Sequence, residues 1–270
     1  MKYSMCLSAS PAKFEAVPFT GSFEKNLRLI SGMGFDGVEL AVRNPKETDL
    51  DALLGCLEAE GLSVPAIGTG QAWGEEGLSF TDPDREIRKQ AVERAVSHLP
   101  FARQTGAAVI IGLLRGILTP GTDPVQAHEW MYDAFSRCCD EALKYGVRIA
   151  FEPINRYETS LLNGAEEGLE FIEQVGSSNL GMLLDTFHMN IEEPSIEGSI
   201  RLAGEKIFHF HYADSNRNYP GSGHLDFASI LTALKDTGYT GFLSGEHRSY
   251  PDGETAARKG IEYLKSLGIE

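Results

Sequence analysis

Short apolar runs alternate with helical segments eight times along this chain, and this repeat constrains the fold more than any other feature. Each run has the length and composition of a strand that is buried on both faces. The segments between the runs carry apolar residues at helical spacing. The eight predicted strands are Tyr3–Leu7, Gly37–Ala41, Val64–Gly68, Ala108–Leu113, Arg148–Glu152, Gly181–Asp185, Ile207–Tyr212 and Gly241–Glu246.

A glycine follows each helical segment, where its left-handed backbone can end a helix. These glycines are Gly34, Gly61, Gly106, Gly146, Gly176, Gly204, Gly238 and Gly268. Asp82-Pro83 and Asp123-Pro124 each predict a helix start, with a cap residue before proline. Eight strand–helix units without a linker predict a closed (β/α)8 barrel, as a single domain over residues 1–270. An open doubly wound sheet would carry a glycine-rich turn after the first strand, which Ser8-Ala9-Ser10-Pro11 lacks.

Composition excludes several partner classes. The net charge of −15 and the pI near 4.9 disfavour binding to nucleic acid or to an anionic membrane. Cys6, Cys56, Cys138 and Cys139 have no metal-ligand spacing and are predicted to be reduced thiols. The N-terminus leads directly into a strand, and no run reaches the roughly 18 apolar residues of a membrane span. We therefore expect a cytoplasmic protein.

Charged or ionisable residues close four neighbouring strands. Glu152 ends the fifth predicted strand, Asp185 the sixth and Glu246 the eighth, and His211 lies at the end of the seventh. The C-terminal ends of barrel strands meet at one mouth, so these side chains should converge. Three carboxylates cannot all ionise at close range without a cation. Oxygen ligands with one imidazole suit Mn²⁺, Mg²⁺ or Co²⁺, so the pattern predicts one divalent metal site.

Three further residues are candidates for contacts with a substrate. His188 lies three residues beyond Asp185 and should face the same cavity. Arg217, in the loop after the seventh strand, could anchor substrate oxygens or form a surface ion pair. Arg115, just beyond the fourth strand, could bind a substrate carboxylate through its planar fork, or form a salt bridge within its loop.

Three other residues near the seventh strand are assigned structural roles. His224 and Asp226 are predicted to order the glycine-rich loop and to cap a helix that starts at Phe227. His209 is predicted to point away from the mouth, as a core or interhelical histidine.

Three strings resemble the D-tagatose 3-epimerase and D-psicose 3-epimerase group of the xylose-isomerase-like barrels. They are Phe-Glu-Pro-Ile-Asn-Arg-Tyr-Glu at 151–158, Leu-Asp-Thr-Phe-His-Met-Asn-Ile-Glu-Glu at 184–193 and His-Tyr-Ala-Asp-Ser-Asn-Arg at 211–217. The resemblance implies one divalent metal per chain, usually Mn²⁺. The implied ligands are Glu152, Asp185, His211 and Glu246. It further implies that Glu152 and Glu246 are the catalytic acid/base pair. Glu158, His188 and Arg217 would then contact the sugar.

The implied reaction inverts the carbinol carbon next to a ketone, which is C3 epimerisation of a ketose or keto-hexonate. One carboxylate removes a proton and the other returns one to the opposite face. The metal would stabilise the enediolate between these two steps. We also expect a homo-oligomer. The chain further resembles the 5-keto-L-gluconate epimerase subgroup, and Arg115 favours such a carboxylate-bearing substrate.

Relatives with other activities fit less well or remain open. Xylose-type isomerases use two metals and a Glu-x-Lys at the end of the fifth strand, where this chain has no lysine. Apurinic endonucleases need histidines at the ends of the third and fourth strands, which are also absent here. A hydroxypyruvate isomerase shares the Glu-Pro-Ile-Asn string and remains an alternative, as does another sugar or sugar-phosphate isomerase. A metal-dependent sugar-binding module is the alternative that is not an enzyme.

Overall fold

The computed structural model describes residues 1–269, so residue 270, the last of the predicted domain, lies outside the described part. Eight parallel strands form a closed barrel in chain order, which confirms the predicted (β/α)8 architecture. The strands are β1 (Lys2–Ser8), β2 (Gly37–Ala41), β3 (Ala66–Gly68), β4 (Ala108–Ile111), β5 (Ile149–Phe151), β6 (Leu180–Asp185), β7 (Ile207–Tyr212) and β8 (Phe242–Gly245).

Eleven helices occur between and after the strands in the part of the chain that the structure describes. They are α1 (Phe23–Gly32), α2 (Leu50–Glu60), α3 (Gly70–Glu76), α4 (Arg85–Ser97), α5 (Leu99–Thr105), α6 (Pro124–Tyr145), α7 (Ala165–Val175), α8 (Thr186–Glu192), α9 (Ile196–Ala203), α10 (Phe227–Asp236) and α11 (Gly253–Ser266). Short 3₁₀ helices add Pro45–Glu47, Leu113–Arg115 and Gly204–Lys206. None of the helices within residues 1–269 is long and apolar enough to cross a membrane.

The predicted helix ends are confirmed, whereas one of the two predicted starts is wrong. All eight glycines that were expected to end helices have a positive φ. Asp123 caps α6 by accepting a hydrogen bond from the backbone N–H of Val125. The other helix begins at Arg85, not at Pro83, because Asp84 is the residue that caps it. Asp82 instead accepts from the N–H of Asp84 and so forms the turn before the helix.

The barrel interior is apolar on one side and polar on the other. Strands β3 to β6 contribute a small apolar cluster of Ala66, Ala108, Ile110, Ala150 and Leu183. Strands β1, β2, β7 and β8 instead bury polar side chains that contact one another, namely Ser4, Glu39, His209 and Ser244. The polar side of the interior lies below the residues that converge at the mouth.

His209 belongs to this polar interior, so it is a core histidine as predicted, but the prediction that it points away from the mouth is wrong. Its Nε2 lies 2.7 Å from Glu39 Oε2, and His211 on the same strand contacts the same oxygen. The error has a simple cause. Side chains alternate with a period of two along a strand, so residues 209 and 211 share one face.

Candidate active site

The four side chains at the strand ends converge at the mouth of the barrel. Asp185 is the last residue of β6 and His211 lies within β7, while Glu152 and Glu246 directly follow β5 and β8. One ligand atom from each of the four lies within 4.8 Å of the others. Glu152, Asp185 and His211 are buried, and the Glu246 side chain is 15 % exposed.

The spacing of these atoms leaves room for a cation between them. His211 Nδ1 lies 3.7 Å from Asp185 Oδ2, 3.8 Å from Glu246 Oε2 and 3.9 Å from Glu152 Oε1. Three of these atoms are buried and lack a hydrogen-bond partner within residues 1–269. They are His211 Nδ1, Asp185 Oδ2 and Glu246 Oε2. Buried polar atoms are rarely left unpaired, and three oxygens with one imidazole nitrogen suit a hard divalent ion. The donor set therefore fits the implied metal.

Asp185 is held in place by the helix that follows it. Its Oδ1 accepts a hydrogen bond of 2.7 Å from the backbone N–H of Phe187 and so caps α8. The cap occupies one carboxylate oxygen and directs the other, Oδ2, toward His211. Asp185 is thus both the last residue of β6 and the cap of α8, and the cap determines the orientation of its carboxylate.

The crowded carboxylates perturb one another's ionisation. Burial raises the pKa of Glu152 well above its usual value, and the nearby Glu246 carboxylate raises it further. Burial also raises the pKa of Glu246, to about 7. Burial opposes ionisation of Asp185 too, but His188 and His211 outweigh it and lower the pKa of Asp185 to about 2. Such divergent pKa values among neighbouring carboxyl groups are typical of acid/base sites.

A second set of polar residues lies beside this cluster. Arg217 Nη1 donates to Glu158 Oε1 over 2.8 Å, and Asn155 Nδ2 donates to the same oxygen over 2.9 Å. Asn155 Nδ2 also lies 2.7 Å from His188 Nδ1. If the amide donates to Nδ1, the remaining ring proton is on Nε2, which lies 3.8 Å from Glu152 Oε1. Burial lowers the pKa of His188 to about 4, so its ring is neutral near pH 7.

Arg217 is fixed more tightly than a surface arginine. It adopts a φ of +59°, and its guanidinium lies 5.0 Å from the Phe14 ring centre and 4.7 Å from that of Phe187. Its Nη2 lies 3.7 Å from Glu246 Oε2. A non-glycine residue in the left-handed region is uncommon and is held there by its surroundings. The guanidinium therefore links Glu158 to the carboxylate cluster.

Arg115 does not reach the cavity, so the prediction that it binds a substrate carboxylate is wrong. The residue is fully buried, and all five of its N–H donors bond to backbone carbonyl oxygens. Those oxygens belong to Gly112, Glu152, Leu161 and Leu162. Burial lowers its pKa to about 10, which leaves the group charged at neutral pH. Nor does it form the loop salt bridge that was the alternative, because its partners are carbonyls.

A cavity of about 140 Å³ opens above the cluster. Its lining includes the apolar residues Phe14, Trp73, Leu113 and Ile154, together with Glu152, His211 and Glu246 of the cluster. The volume is below the roughly 300–1,000 Å³ of sites for drug-sized ligands, so the cavity suits a small substrate. Among the lining residues in the described part of the chain, Arg217 is the only lysine or arginine.

The model of one protein family matches residues 27–267, and its description is xylose isomerase-like TIM barrel. The chain belongs to this family. An L-ribulose 3-epimerase of Mesorhizobium japonicum is 33 % identical over 246 residues, which are 90 % of this chain and 79 % of that protein. A D-psicose 3-epimerase of Ruminiclostridium cellulolyticum is 34 % identical over 220 residues, 78 % of this chain and 73 % of that protein.

The fold is also similar to that of a solved structure. The crystal structure of D-psicose 3-epimerase with D-tagatose from Clostridium cellulolyticum H10 superposes with a TM-score of 0.83. It is 25 % identical and covers 99 % of both chains. These comparisons confirm the resemblance to the 3-epimerase group of the xylose isomerase-like barrels.

Sequence reasoning missed three residues that shape this site. Asn155 was not among the predicted substrate contacts, yet it contacts both Glu158 and His188. Gly112 approaches the Glu152 carboxylate so closely that a Cβ at this position would overlap Oε2. Glu39 on β2 contacts His211 from below. Of the three, Glu39 carried a signal, because it is a charged residue in the middle of an otherwise apolar strand.

Proposed function

We propose that this protein is a metal-dependent ketose 3-epimerase that acts on a neutral monosaccharide. The observation that carries the proposal is the convergence of Glu152, Asp185, His211 and Glu246 below a small cavity. Relatives named L-ribulose 3-epimerase and D-psicose 3-epimerase support it. Proteins of these names invert the carbon next to the ketone of a sugar, a reaction that needs paired acid/base groups.

The four converging residues would hold one divalent ion per chain. Mn²⁺ is the preferred ion, with Co²⁺ or Mg²⁺ as alternatives, because the donors are three carboxylates and one imidazole. When bound, such an ion withdraws electron density from the substrate's oxygens and stabilises negative charge on them.

Glu152 and Glu246 serve as the acid/base pair. They follow β5 and β8, which are three strands apart in the ring of eight, so they approach a bound sugar from different sides. One carboxylate accepts the proton from the carbon next to the ketone, and the other donates a proton to the opposite face. Because the reaction runs in both directions, the two residues exchange roles with the direction. Burial raises the pKa of both carboxyl groups, that of Glu246 to about 7.

His188, Glu158 and Arg217 bind and orient the sugar. The neutral His188 ring presents an Nε2–H toward the carboxylate side of the cavity. Arg217 donates to Glu158, and Asn155 fixes both Glu158 and His188. These groups form a preorganised set of donors and acceptors for hydroxyl and carbonyl oxygens, which lowers the entropic cost of orienting the substrate.

A neutral sugar fits the charges of the cavity better than a keto-hexonate, hydroxypyruvate or a sugar phosphate. Arg115, the residue that favoured a carboxylate, is turned away and fully bonded. Arg217 is the remaining cation of the lining within residues 1–269, and it already faces Glu158 and Glu246. Apart from the divalent ion, an anionic substrate would therefore find no free cationic side chain in the lining, and the remaining carboxylate, Glu158, would repel it.

The proposal is tested by incubating purified protein and Mn²⁺ with neutral ketoses, keto-hexonates, hydroxypyruvate and ketose phosphates, followed by NMR of the products. The same reactions in D₂O report the mechanism. We expect turnover of neutral ketoses, with inversion at C3 and deuterium on the inverted carbon. Product free of solvent deuterium would indicate hydride transfer, once internal return of the proton has been checked with substrate deuterated at C3. Sugar binding without turnover would support the binding-module alternative.

Three broader predictions stay untested. They are the homo-oligomer, the cytoplasmic location and the single domain over residues 1–270. Size-exclusion chromatography with light scattering tests the first of these directly.

A further inference from the structure

Glu39 is a charged residue placed deep inside the barrel, and the acid/base chemistry does not use it. It lies in β2, beside Cys6 of β1 in the sheet register, and is only 4 % exposed. Strands β2 and β7 are separated by β1 and β8, so the side chain reaches β7 across the polar side of the interior. A buried carboxylate at such a position is costly unless donors compensate it.

Two histidines of β7 supply these donors to a single oxygen. Glu39 Oε2 lies 2.8 Å from His211 Nε2 and 2.7 Å from His209 Nε2. An ionised carboxylate only accepts hydrogen bonds, so both rings must carry a proton on Nε2. The contact therefore holds a proton on Nε2 of His211.

The other nitrogen of His211 faces the carboxylate cluster. Its Nδ1 lies within 4 Å of Asp185, Glu152 and Glu246, and it has no hydrogen-bond partner among the described residues. One ring thus bridges two environments, with the Nε2–H on Glu39 and Nδ1 toward the cluster. A histidine that ligates a metal commonly donates its second N–H to a carboxylate, which orients the ring and increases its basicity.

Further contacts fix Glu39 itself. His209 Nε2 also lies 3.0 Å from Ser244 Oγ, which in turn lies 2.5 Å from Ser4 Oγ. His209 packs edge-on against His211, with ring centres 5.3 Å apart. The carboxylate is thereby connected to strands β1, β7 and β8, and its position does not depend on a flexible side chain at the surface.

We propose that Glu39, supported by His209, is a positioning residue that accepts the Nε2–H of His211 and so directs its Nδ1 toward the divalent ion. The inference rests on the proposed function, because it assumes that the ion binds at the cluster. Glu39 acts through His211 and is not itself a ligand. The competing assignment is a ligand set of Cys6, Glu39, His211 and Glu246, whose donor atoms also lie within 4.8 Å of one another.

The experiment is a titration of purified protein with Mn²⁺, in which electron paramagnetic resonance measures the free ion. Glu39→Gln keeps the shape of the side chain but makes it a weaker acceptor. We expect it to weaken Mn²⁺ binding by about 10–100-fold, as is typical for partners of metal-ligating histidines. His209→Gln, which leaves Glu39 in place, should weaken binding less. Glu193→Gln is the matched control. That carboxylate bonds to Ala165 N and Ser199 Oγ outside the cluster, so the affinity should stay within about twofold of wild type.

The remaining outcomes separate the possible failures. If wild type binds no Mn²⁺, the proposed metal site is wrong, whatever Glu39 does. If wild type binds and Glu39→Gln binds equally well, only the positioning role is refuted. Should Glu39→Gln lose Mn²⁺ completely, and Cys6→Ser lose affinity to the same extent, both residues are ligands and the positioning role is again refuted. If Glu39→Gln does not fold, Ser244→Ala removes a contact one step further away, and unchanged affinity in that variant and in His209→Gln would overturn the proposal.

Discussion

Replacing Arg115 tests whether this arginine supports the fold or recognises a substrate. In the structure its guanidinium joins three segments: the end of β4 through Gly112, the end of β5 through Glu152, and the loop at Leu161 and Leu162. It also lies 5.1 Å from the centre of the Phe151 ring. The side chain therefore connects the ends of β4 and β5 to the loop at residues 161–162.

The cost of removing it follows from the contacts it makes. Arg115→Ala removes a charged donor from four carbonyl oxygens, of which Gly112 O keeps its bond from the backbone N–H of residue 115 and Leu162 O is only partly buried. The buried carbonyl oxygens of Glu152 and Leu161 lose this donor, and each unpaired buried acceptor costs about 1–3 kcal/mol. Allowing for some relaxation and entry of water, we expect a loss of about 4 kcal/mol in the free energy of unfolding. For a chain of this size, that corresponds to a decrease of roughly 8–16 °C in the melting temperature. Arg115→Lys keeps the charge without the planar fork and should lose about half as much.

Two measurements decide the matter. Thermal and urea unfolding give the stability of Arg115→Ala and Arg115→Lys, with Arg201→Ala as the control. Arg201 forms an exposed ion pair with Asp236 and should cost at most about 1 kcal/mol. The second measurement is kcat/KM of Arg115→Lys for a neutral ketose and for a keto-hexonate at a temperature where the variant is folded. We expect the ratio of the two values to match wild type within about twofold, because the guanidinium does not line the cavity. A tenfold selective loss on the keto-hexonate at unchanged melting temperature would refute this reasoning.

Three further predictions concern metal binding, packing and pH. Asp185→Asn keeps an acceptor for the helix cap but removes the negative charge, so we expect the variant to lose the ion. Metal analysis after dialysis measures this, and one retained ion per chain would contradict the proposed metal site. Gly112→Ala places a methyl group against the Glu152 carboxylate and should reduce metal affinity and activity at least about tenfold. The control is Gly55→Ala, whose added methyl group meets no atom within 4 Å. It should raise the unfolding free energy by about 0.5–1 kcal/mol. Burial lowers the pKa of His98 from 6.5, so the unfolded chain binds more protons below that pH and stability should fall as the pH drops below about 6.5. His98→Gln should reduce this slope in urea titrations, and an unchanged slope would show that other groups cause it.

The barrel could be predicted because its signals are local. A strand buried on both faces must be apolar, and a helix that returns to the next strand commonly ends at a glycine. Both features can therefore be recognised in the sequence of each repeat. The four residues of the cluster follow from the same logic, because the fold brings the C-terminal ends of the strands to one mouth. Even an error of one residue at the end of β5 or β8 does not move Glu152 or Glu246 out of the site.

Arg115 and Glu39 could not be placed in this way, because their partners are distant in sequence. The carbonyls that bind Arg115 include those of residues 46 and 47 positions later, and Glu39 meets a histidine 172 positions away. An arginine at a strand end predicts a positive charge near the mouth. Only the path of the loop determines whether carbonyl oxygens or a ligand accept its hydrogen bonds. His209 is different, since the strand period already places it beside His211. The same period predicts that both histidines of β7 point into the barrel. Two buried histidines in turn predict a buried acid that compensates them, and Glu39, in the middle of β2, is such an acid.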